Sequence, residues 1–389
     1  MQRGGTEADV LAWLDDRRAE MVTLLEALVN VDSGSLDRDG VNRAGEVLTR
    51  FLAGHGLQVE VTPGERVGDG LTVRLPAAGG RDVPGPVLLL GHRDTVFPTG
   101  ETARRPFRVE GERAFGPGVA DMKAGLVMNA FVMAAFAARC GAPVPLVMLT
   151  TADEEIASPE GRALIEATAR DARCVFNAEP GRPGDGIVTS RNGALFCEVE
   201  ITGRAAHSGA SHKKGASAIE AAARKVQALH ALTDYDTGVT LNVGVVAGGE
   251  AVNTVAPFAR FGFDCRFPSR LAFAEVEPTI ERILAREEVA GTAARVTGRR
   301  VFLPVEETTH DRELFEHYAA CADALGMAVE PAFSGGSADS GFTSALGVPT
   351  LCGTGPIGEH AHTPHEVCHL DSLVPRARAL ALAILRLQP

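Results

Sequence analysis

Three apolar segments of strand length, each running directly into an imidazole or a carboxylate, constrain the fold of this chain more than any other feature. The segments are VLLLGH, LVMLTTADEE and CVFNAEP, and stretches of helical pattern separate them. Strands that alternate with helices favour a mainly parallel sheet with helices on both faces. Such sheets bind their ligands at the carboxyl ends of the strands. The sequence therefore predicts an α/β domain with a polar site at that end of its sheet.

The pattern of the chain changes after residues 180–186. The segments ALFCEVEITG, VTLNVGVVAGG and ARFGFDCRF alternate between apolar and polar residues, and helical stretches lie among them. Alternation with period two is typical of an antiparallel sheet that has one solvated face. We therefore predict an inserted α+β domain at residues 187–298. It interrupts a first domain formed by residues 1–186 and 299–389.

Composition argues against two classes of partner. The chain has 38 Lys and Arg residues and 50 Asp and Glu residues, a formal net charge of −12 that argues against nucleic-acid binding. No apolar stretch reaches membrane-spanning length without charges, so we predict no membrane partner. The seven cysteines are scattered and form no C-x-x-C pair. This pattern favours reduced thiols in the cytoplasm over disulfides or a thiolate zinc site.

Candidate metal ligands stand where the strands and loops end. They are His92, Asp94, Asp121, Asp153, Glu154, Glu155, Glu179 and the histidines of GEHAHTPHEVCH. Residues i and i+2 of an extended segment point to one face, so His92 and Asp94 can converge on one object. Carboxylates crowded in one place repel each other, and divalent cations between them relieve that repulsion. Ligation by histidine and carboxylate without cysteine suits zinc, with manganese or cobalt as alternatives.

Each of these residues also has a purely structural explanation. Asp121 can cap a helix, the Asp-Glu-Glu run can form a solvated turn, and the histidines can lie in a surface loop. Their recurrence at several strand ends favours a metal site. One carboxylate can bridge two ions about 3.5–4 Å apart. Of two neighbouring glutamates, one can bind a metal while the other transfers protons.

Six ordered motifs together resemble the dinuclear-zinc aminoacylase/carboxypeptidase family. They are GHRDTVF, GPGVADMKAG, TADEE, NAEP, GRAAHSGA and HTPHEV, and they extend over nearly the whole chain. GHRDTVFPTG and GGSADSGFTSALGVPTLCGTGP are most similar to the glutamate carboxypeptidase branch. The resemblance implies a zinc-exopeptidase-like catalytic domain, with a mixed, mainly parallel sheet between helices. It also implies that the inserted domain is a lid and dimerisation domain.

The resemblance also implies a role for each motif residue in the catalytic domain. The implied metal ligands are His92 and Glu179 on one ion, Glu155 and His362 on the other, and Asp121 between both. Glu154 would be the general base, and Asp94 would orient the His92 ring. His360 or His365 can replace His362 on spacing alone. Arg93 departs from the family pattern and is expected to bring an extra cation near the metals.

In the inserted domain and the loop after it, the resemblance implies contacts with the substrate. His207 would stabilise the oxyanion, commonly from the partner subunit, although a helix-capping or packing role is an alternative. Asn253, Arg266 and the N–H groups of Gly335 and Gly336 would bind the substrate carboxylate. Arg300, with its neighbour Arg299, is a candidate for selecting an acidic side chain.

These residues predict a metal-dependent hydrolase that cleaves an amide bond next to a free carboxylate and releases a C-terminal, acidic amino acid. Its substrate would be a small N-acyl amino acid or a short peptide, and it would act as a homodimer through the lid domain. The first alternative is an N-acyl-amino-acid deacylase of the acetylornithine deacetylase or desuccinylase type, in a biosynthetic pathway. The second is a catalytically silent binding scaffold, which would require the loss of a ligand or of the base. A lid-less aminopeptidase does not fit the long insertion.

Overall fold

The computed structural model describes residues 6–387 except 81, 82, 84 and 140, so Cys140 lies outside the described residues. The α-helices are α1 (Glu7–Asp15), α2 (Arg18–Val29), α3 (Arg38–Gly54), α4 (Glu101–Arg104), α5 (Ala124–Ala138), α6 (Gly161–Ala169), α7 (Ala218–His230), α8 (Arg270–Ala285), α9 (Thr309–Asp323), α10 (Ser340–Ala345) and α11 (Leu373–Arg386). The strands are β1 (Val59–Thr62), β2 (Gly70–Leu75), β3 (Val87–His92), β4 (Arg108–Glu110), β5 (Arg113–Phe115), β6 (Leu146–Thr151), β7 (Cys174–Asn177), β8 (Ile187–Arg191), β9 (Gly193–Thr202), β10 (Ala206–His207), β11 (Thr240–Gly248), β12 (Thr254–Val255), β13 (Phe258–Phe267), β14 (Ala293–Phe302), β15 (Pro331–Ser334), β16 (Thr350–Leu351), β17 (Gly358–Glu359) and β18 (Val367–His369).

The chain divides into two compact units, and the second is discontinuous in sequence. The first unit comprises Met1–Ser190, Glu307–Ser334 and Phe342–Pro389, and the second comprises Arg191–Glu306 and Gly335–Gly341. The second unit therefore extends past the predicted end at residue 298, because β14 continues to pair with β9 as far as Phe302. Residues 187–190 stay with the first unit, since Ile187 and Val188 bond to residues 330 and 352 there.

The first unit is built on a six-stranded sheet with the strand order β1-β2-β6-β3-β7-β16. The strands β6, β3, β7 and β16 are parallel, while β1 and β2 pair antiparallel at one edge. Every residue of β3, β6 and β7 is buried. Burial along the whole length is expected of strands covered on both faces. The predicted mixed, mainly parallel sheet in an α/β fold is confirmed.

Helix α5 lies in the core of the first unit, close to the sheet. Gly125 makes this possible, because a Cβ at that position would overlap the carbonyl oxygen of Ala178. By length and composition, the stretch Val119–Ala138 could cross a membrane. However, 94% of its most apolar part is buried within the protein. This burial is that of a core helix. The close approach also brings the start of α5 next to the segment that carries Glu179.

The second unit contains a four-stranded antiparallel sheet with the order β11-β13-β9-β14. Helices α7 and α8 contribute apolar residues to the same core as the sheet, and the strands alternate between buried and more exposed positions. Both outer strands carry a β-bulge, between Val243 and Val245 in β11 and between Val296 and Gly298 in β14. A short strand pair, β10 with β12, adjoins this sheet in sequence. The predicted α+β character of the insertion agrees with these elements.

Candidate active site

Strands β3 and β6 end at the same level and β7 ends two residues earlier, and the candidate ligands lie at or shortly after these strand ends. His92 at the end of β3 is in register with Thr151 at the end of β6, and Leu90 is in register with Asn177 at the end of β7. The carboxyl ends of parallel strands share one edge of a sheet, so the residues that follow them converge. The distances below show which of these polar residues the structure brings together.

Two groups of ligand atoms form at this place, and Asp121 belongs to both. In the first group, His92 Nε2 lies 3.2 Å from Asp121 Oδ1 and 3.5 Å from Glu179 Oε1. In the second, His362 Nε2 lies 3.2 Å from Asp121 Oδ2 and 3.1 Å from Glu155 Oε2. The two oxygens of Asp121 therefore face different groups. This is the arrangement that a carboxylate bridging two cations requires.

The electrostatics of the second group fit a bound cation. Burial, and then the charge of Asp121, raise the pKa of Glu155 to about 7. Glu155 Oε1 is also buried and has no hydrogen-bond partner among the described residues. Hydrogen bonds with Asp121 and Glu155 raise the pKa of His362 to about 11. Crowded carboxylates and an unpaired buried oxygen are stabilised by a divalent ion, and imidazole with carboxylate suits zinc, cobalt or manganese.

Of the neighbouring histidines, the structure places His362 in the second group and leaves His360 and His365 outside both groups. His360 and His362 have positive φ angles of 58° and 64°. Thr363 stabilises the turn, because its N–H and its hydroxyl both donate to the carbonyl of His360. The spacing of the sequence left this choice open, and the turn brings His362 next to Asp121 and Glu155.

Asp94 lies at the centre of a hydrogen-bond network under the ligands. Its Oδ1 lies 3.3 Å from His92 Nδ1 and accepts the N–H of Glu154 at 3.1 Å. Its Oδ2 accepts the N–H of Glu155 at 3.0 Å and the hydroxyl of Ser35 at 2.6 Å. Asp94 is 0% exposed. It therefore holds the backbone of the Glu154–Glu155 pair in addition to the His92 ring, which extends the role that the sequence predicted.

Glu154 lies beside the first ligand group without belonging to either group. Its Oε2 is 4.0 Å from His92 Nε2, and its side chain is buried. A short 3₁₀ turn of residues Glu154–Ile156 presents the two glutamates in different directions. The position is that of a carboxylate able to exchange protons next to the metal ligands.

Two further polar residues were missed by the sequence analysis. Ser35 donates to Asp94 from 59 positions away, and no spacing rule connects the two. Ser337 accepts a hydrogen bond from Arg266 at 3.4 Å. The segment SGGSADSG, which contains Ser337, was singled out for its family resemblance and its glycines, and no role was assigned to Ser337.

In the second unit, His207 and Asn253 lie on adjoining segments. His207 is in register with Thr254, and the N–H of Ser208 donates to the Asn253 carbonyl at 2.9 Å. His207 Nδ1 accepts the N–H groups of Gly209 at 3.1 Å and Ala210 at 3.2 Å. A neutral imidazole that accepts at Nδ1 carries its proton on Nε2. In that tautomer, Nε2 of His207, an exposed residue, is a hydrogen-bond donor.

Arg266 contacts the loop that carries Gly335 and Gly336, within the same unit. Besides its bond to Ser337, its guanidinium lies 3.6 Å from Asp264 and 5.0 Å from the ring centre of Phe196. The carbonyl of Gly336 accepts from Arg191 Nε at 2.8 Å, which fixes the loop. The structure therefore groups the predicted carboxylate ligands Arg266, Gly335 and Gly336 in one unit.

Arg300 lines a groove of about 500 Å³ on the solvated face of the second unit's sheet, together with Phe196 and Asp264. Its guanidinium lies 3.4 Å from Glu198 Oε1. The neighbouring Arg299 forms an ion pair with Glu277 instead.

Arg93 does not act as expected from the sequence. Strand alternation turns its side chain to the side opposite His92 and Asp94. The bonds that the structure describes for its buried guanidinium go to the carbonyls of Thr150, at 2.8 Å, and of Asp69, and to the Thr150 hydroxyl. Burial lowers its pKa to about 10. The extra cation therefore ties the loop of Asp69 to β6 and is not directed at the metal ligands.

Residues 88–386 match the family model described as peptidase family M20/M25/M40. The chain belongs to this family. The resemblance found in the motifs is confirmed, and the protein is a metal-dependent hydrolase of the M20 type.

Similar proteins in this family differ in their reactions. Carboxypeptidase G2 of Pseudomonas sp. (strain RS-16) is 27% identical over 381 residues, covering 95% of this chain and 89% of the relative. The acetylornithine deacetylase of Myxococcus xanthus is 32% identical over 318 residues, covering 77% and 79%. The M20 family metallo-carboxypeptidase Sso-CP2 from Sulfolobus solfataricus has the same fold, with a TM-score of 0.77, 16% identity and coverage of 94% and 99%.

Proposed function

We propose that this M20 enzyme hydrolyses an amide bond next to a free carboxylate and releases a C-terminal, acidic amino acid. The observation that carries the proposal is the pair of ligand groups that share Asp121, with Glu154 beside them. Similarity to carboxypeptidase G2 over 95% of the chain supports a carboxypeptidase reaction. The substrate is then a small N-acyl amino acid or a short peptide.

The residues at the strand ends divide the chemistry between them. His92, Glu179, Asp121, Glu155 and His362 would hold two divalent ions, zinc first and cobalt or manganese as alternatives, which supply a Lewis acid and lower the pKa of water. Glu154 takes the proton from the attacking water and delivers it to the leaving amine. Asp94 keeps the His92 ring and the Glu154 backbone in place. A silent scaffold would lack one of these groups, and the structure brings all of them together.

The second unit supplies groups suited to binding the substrate. Arg266 offers a planar fork of N–H donors that matches a carboxylate, and Gly335 and Gly336 lie in the loop that it contacts. His207 offers its Nε2 proton to an oxyanion, and Asn253 adjoins it. Ser337 adds a hydroxyl next to Arg266. These groups support a substrate that carries a free carboxylate.

A second candidate function is deacylation of an N-acyl amino acid with a neutral or basic side chain, as in the acetylornithine deacetylase or desuccinylase reaction. The observation that favours it is the pairing of both arginines with carboxylates. Glu198 lies 3.4 Å from Arg300, and Asp264 lies 3.6 Å from Arg266. These pairs reduce the positive potential that an acidic side chain needs. The identity of 32% to the Myxococcus xanthus enzyme also supports this candidate.

Hydrolysis of a small substrate panel by the zinc-loaded protein distinguishes these candidates. The panel holds N-acetyl and N-benzoyl derivatives of glutamate, aspartate, ornithine and alanine, each with a chelator control. We expect chelator-sensitive release of glutamate or aspartate. Release of ornithine or alanine alone would favour the second candidate, and no turnover with two bound metals would refute both.

The role of Arg300 is tested with Arg300→Gln and its neighbour Arg299→Gln as a matched control. Arg299 pairs with Glu277 and does not line the groove, whereas Arg300 does. We expect Arg300→Gln to lower kcat/KM for the glutamate substrates and to leave the alanine substrates unchanged. Equal effects of the two variants on the glutamate substrates would contradict a role of Arg300 in selecting the side chain.

We further propose that the protein is a homodimer formed through the second unit. Strand β11 is an outer strand of its sheet, and Val245 and Val246 on it are 61% and 58% exposed. An exposed apolar edge strand can pair with a second copy. Sedimentation of the wild type and of Val246→Lys tests this, with Leu271→Lys on α8 as control. A monomeric wild type would refute it.

The six described cysteines are buried free thiols, which supports a cytoplasmic location.

A further inference from the structure

The carboxylate of Glu366 binds the loop that carries Asp121. Its Oε2 accepts the N–H of Gly118 at 3.0 Å, and its Oε1 accepts those of Ala120 at 2.9 Å and Asp121 at 3.0 Å. The residue is 1% exposed. Three bonds from N–H groups of residues 118–121 to one carboxylate fix the path of the backbone as it reaches Asp121.

The same residue closes the loop that carries His362. The N–H of Glu366 donates to the carbonyl of Thr363, and the next residue begins β18. Strand β18 pairs with β5, with Val367 in register with Phe115. The loop that binds Glu366 follows directly after Phe115. Glu366 therefore joins two loops whose bases are already connected by a strand pair.

We propose that Glu366 is a positioning residue that sets the placement of Asp121 relative to His362, and with it the spacing of the two metal sites. Asp121 belongs to both ligand groups, and each of its oxygens lies 3.2 Å from one histidine. A small rotation of its backbone would move both oxygens at once. Glu366, which lies four residues after His362, prevents that rotation. The inference rests on the proposed function only in taking the two groups as metal sites.

A purely structural role would be the satisfaction of buried loop N–H groups, and Asp311 provides the matched control for it. Asp311 is also a buried carboxylate, 2% exposed, and its Oδ1 accepts the N–H of Thr350 at 2.7 Å. Its Oδ2 accepts the N–H of Thr308 at 2.8 Å. Asp311 is in neither ligand group. Loss of the charge of Asp311 should therefore change the stability of the fold without changing metal binding.

The test compares Glu366→Gln with Asp311→Asn in the full-length protein. A glutamine has one acceptor oxygen, so its NH₂ group must face at least one of the three loop N–H donors. We expect the dissociation constant of one Co²⁺ ion to rise about 10–100-fold in Glu366→Gln, the range found when outer contacts of metal ligands are removed. We also expect a changed visible spectrum of the Co²⁺-loaded protein and a fall in kcat larger than any change in KM. Asp311→Asn should lower the melting temperature without changing the Co²⁺ titration.

The outcomes separate this inference from the proposed function. Wild-type Co²⁺ affinity and spectrum in a folded Glu366→Gln variant would overturn the inference, whatever its melting temperature. If the wild type binds two ions but hydrolyses none of the panel, the proposed function fails, and the Co²⁺ comparison still decides the role of Glu366. Should Glu366→Gln fail to fold, Glu366→Asp keeps the charge on a shorter side chain. That variant should show a smaller change of the Co²⁺ affinity in the same direction, and an unchanged affinity would refute the proposal.

Discussion

Replacement of Asp94 by asparagine should weaken metal binding, although it changes a single atom. The carboxylate accepts the N–H of Glu154 on Oδ1, and on Oδ2 the N–H of Glu155 and the hydroxyl of Ser35. Asparagine can accept on one side only, so its NH₂ group must face one of the two N–H donors. The hydroxyl of Ser35 can turn and accept instead. The favoured orientation therefore keeps the bond to Glu154 and leaves the N–H of Glu155 unpaired.

The expected size of the effect follows from the number of hydrogen bonds that Asp94→Asn loses. One buried N–H without an acceptor costs about 1–3 kcal/mol of the free energy of unfolding. The orientation of the His92 ring should change less, because the backbone oxygen of Asp94, 3.1 Å from Nδ1, is unchanged by the substitution. The larger effect should fall on Glu155, which belongs to the second ligand group. We expect the affinity for a metal ion at that group to fall about 10–100-fold.

Two measurements test Asp94→Asn, namely Zn²⁺ competition with a chromophoric chelator and urea unfolding of the metal-free protein. Ser35→Ala serves as a milder comparison, since it removes one donor to the carboxylate and keeps its charge. It should change the Zn²⁺ affinity less than Asp94→Asn does. If Asp94→Asn kept the wild-type Zn²⁺ affinity at both sites while remaining folded, the assignment of Asp94 as the support of the Glu154–Glu155 pair would be wrong.

Three further outcomes are expected. Glu154→Gln should retain both metals but lose about 10²–10⁴-fold in kcat, as removal of a general base does, and wild-type turnover would exclude this residue as the base. His207→Ala should lower kcat about 10²–10³-fold with little change in KM, measured on the best substrate of the panel, whereas an unchanged kcat would exclude it as an oxyanion donor. Gly125→Ala should lower the free energy of unfolding, measured in urea, by about 1–3 kcal/mol, because its Cβ would overlap the carbonyl of Ala178. An unchanged unfolding midpoint would contradict that close approach.

The location of the candidate site at the ends of the parallel strands could be predicted from the sequence, because the geometry of a strand is local. Alternation with period two placed His92 and Asp94 on one face, and the sheet brought Glu155 and Glu179 into two ligand groups that share Asp121. The mixed parallel sheet also followed from the alternation of strands and helices. These features depend on neighbours within one element, or on the general rule that parallel strands end together.

Other features depend on contacts that no local pattern records. Ser35 reaches Asp94 across 59 residues, and the loop of Ser337 joins a unit whose main segment ends at residue 306. The helical pattern of residues 11–31 is divided between α1 and α2, because Arg17 has a φ of −116° and its N–H bonds back to Leu14. The apolar period continues across this break, so periodicity alone could not show it.

The order of the ligands along the chain has a consequence for biosynthesis. His92, Asp121 and Glu179 complete the first group in the first half of the chain, whereas the second group waits for His362 near its end. A nascent chain thus contains the residues of the first group well before it contains those of the second. A chain that ends after the second unit has the residues of the first group but lacks Glu366, whose carboxylate binds the loop of Asp121. Both groups therefore depend on the end of the chain, which supplies His362 to the second group and holds the loop of Asp121, a member of both.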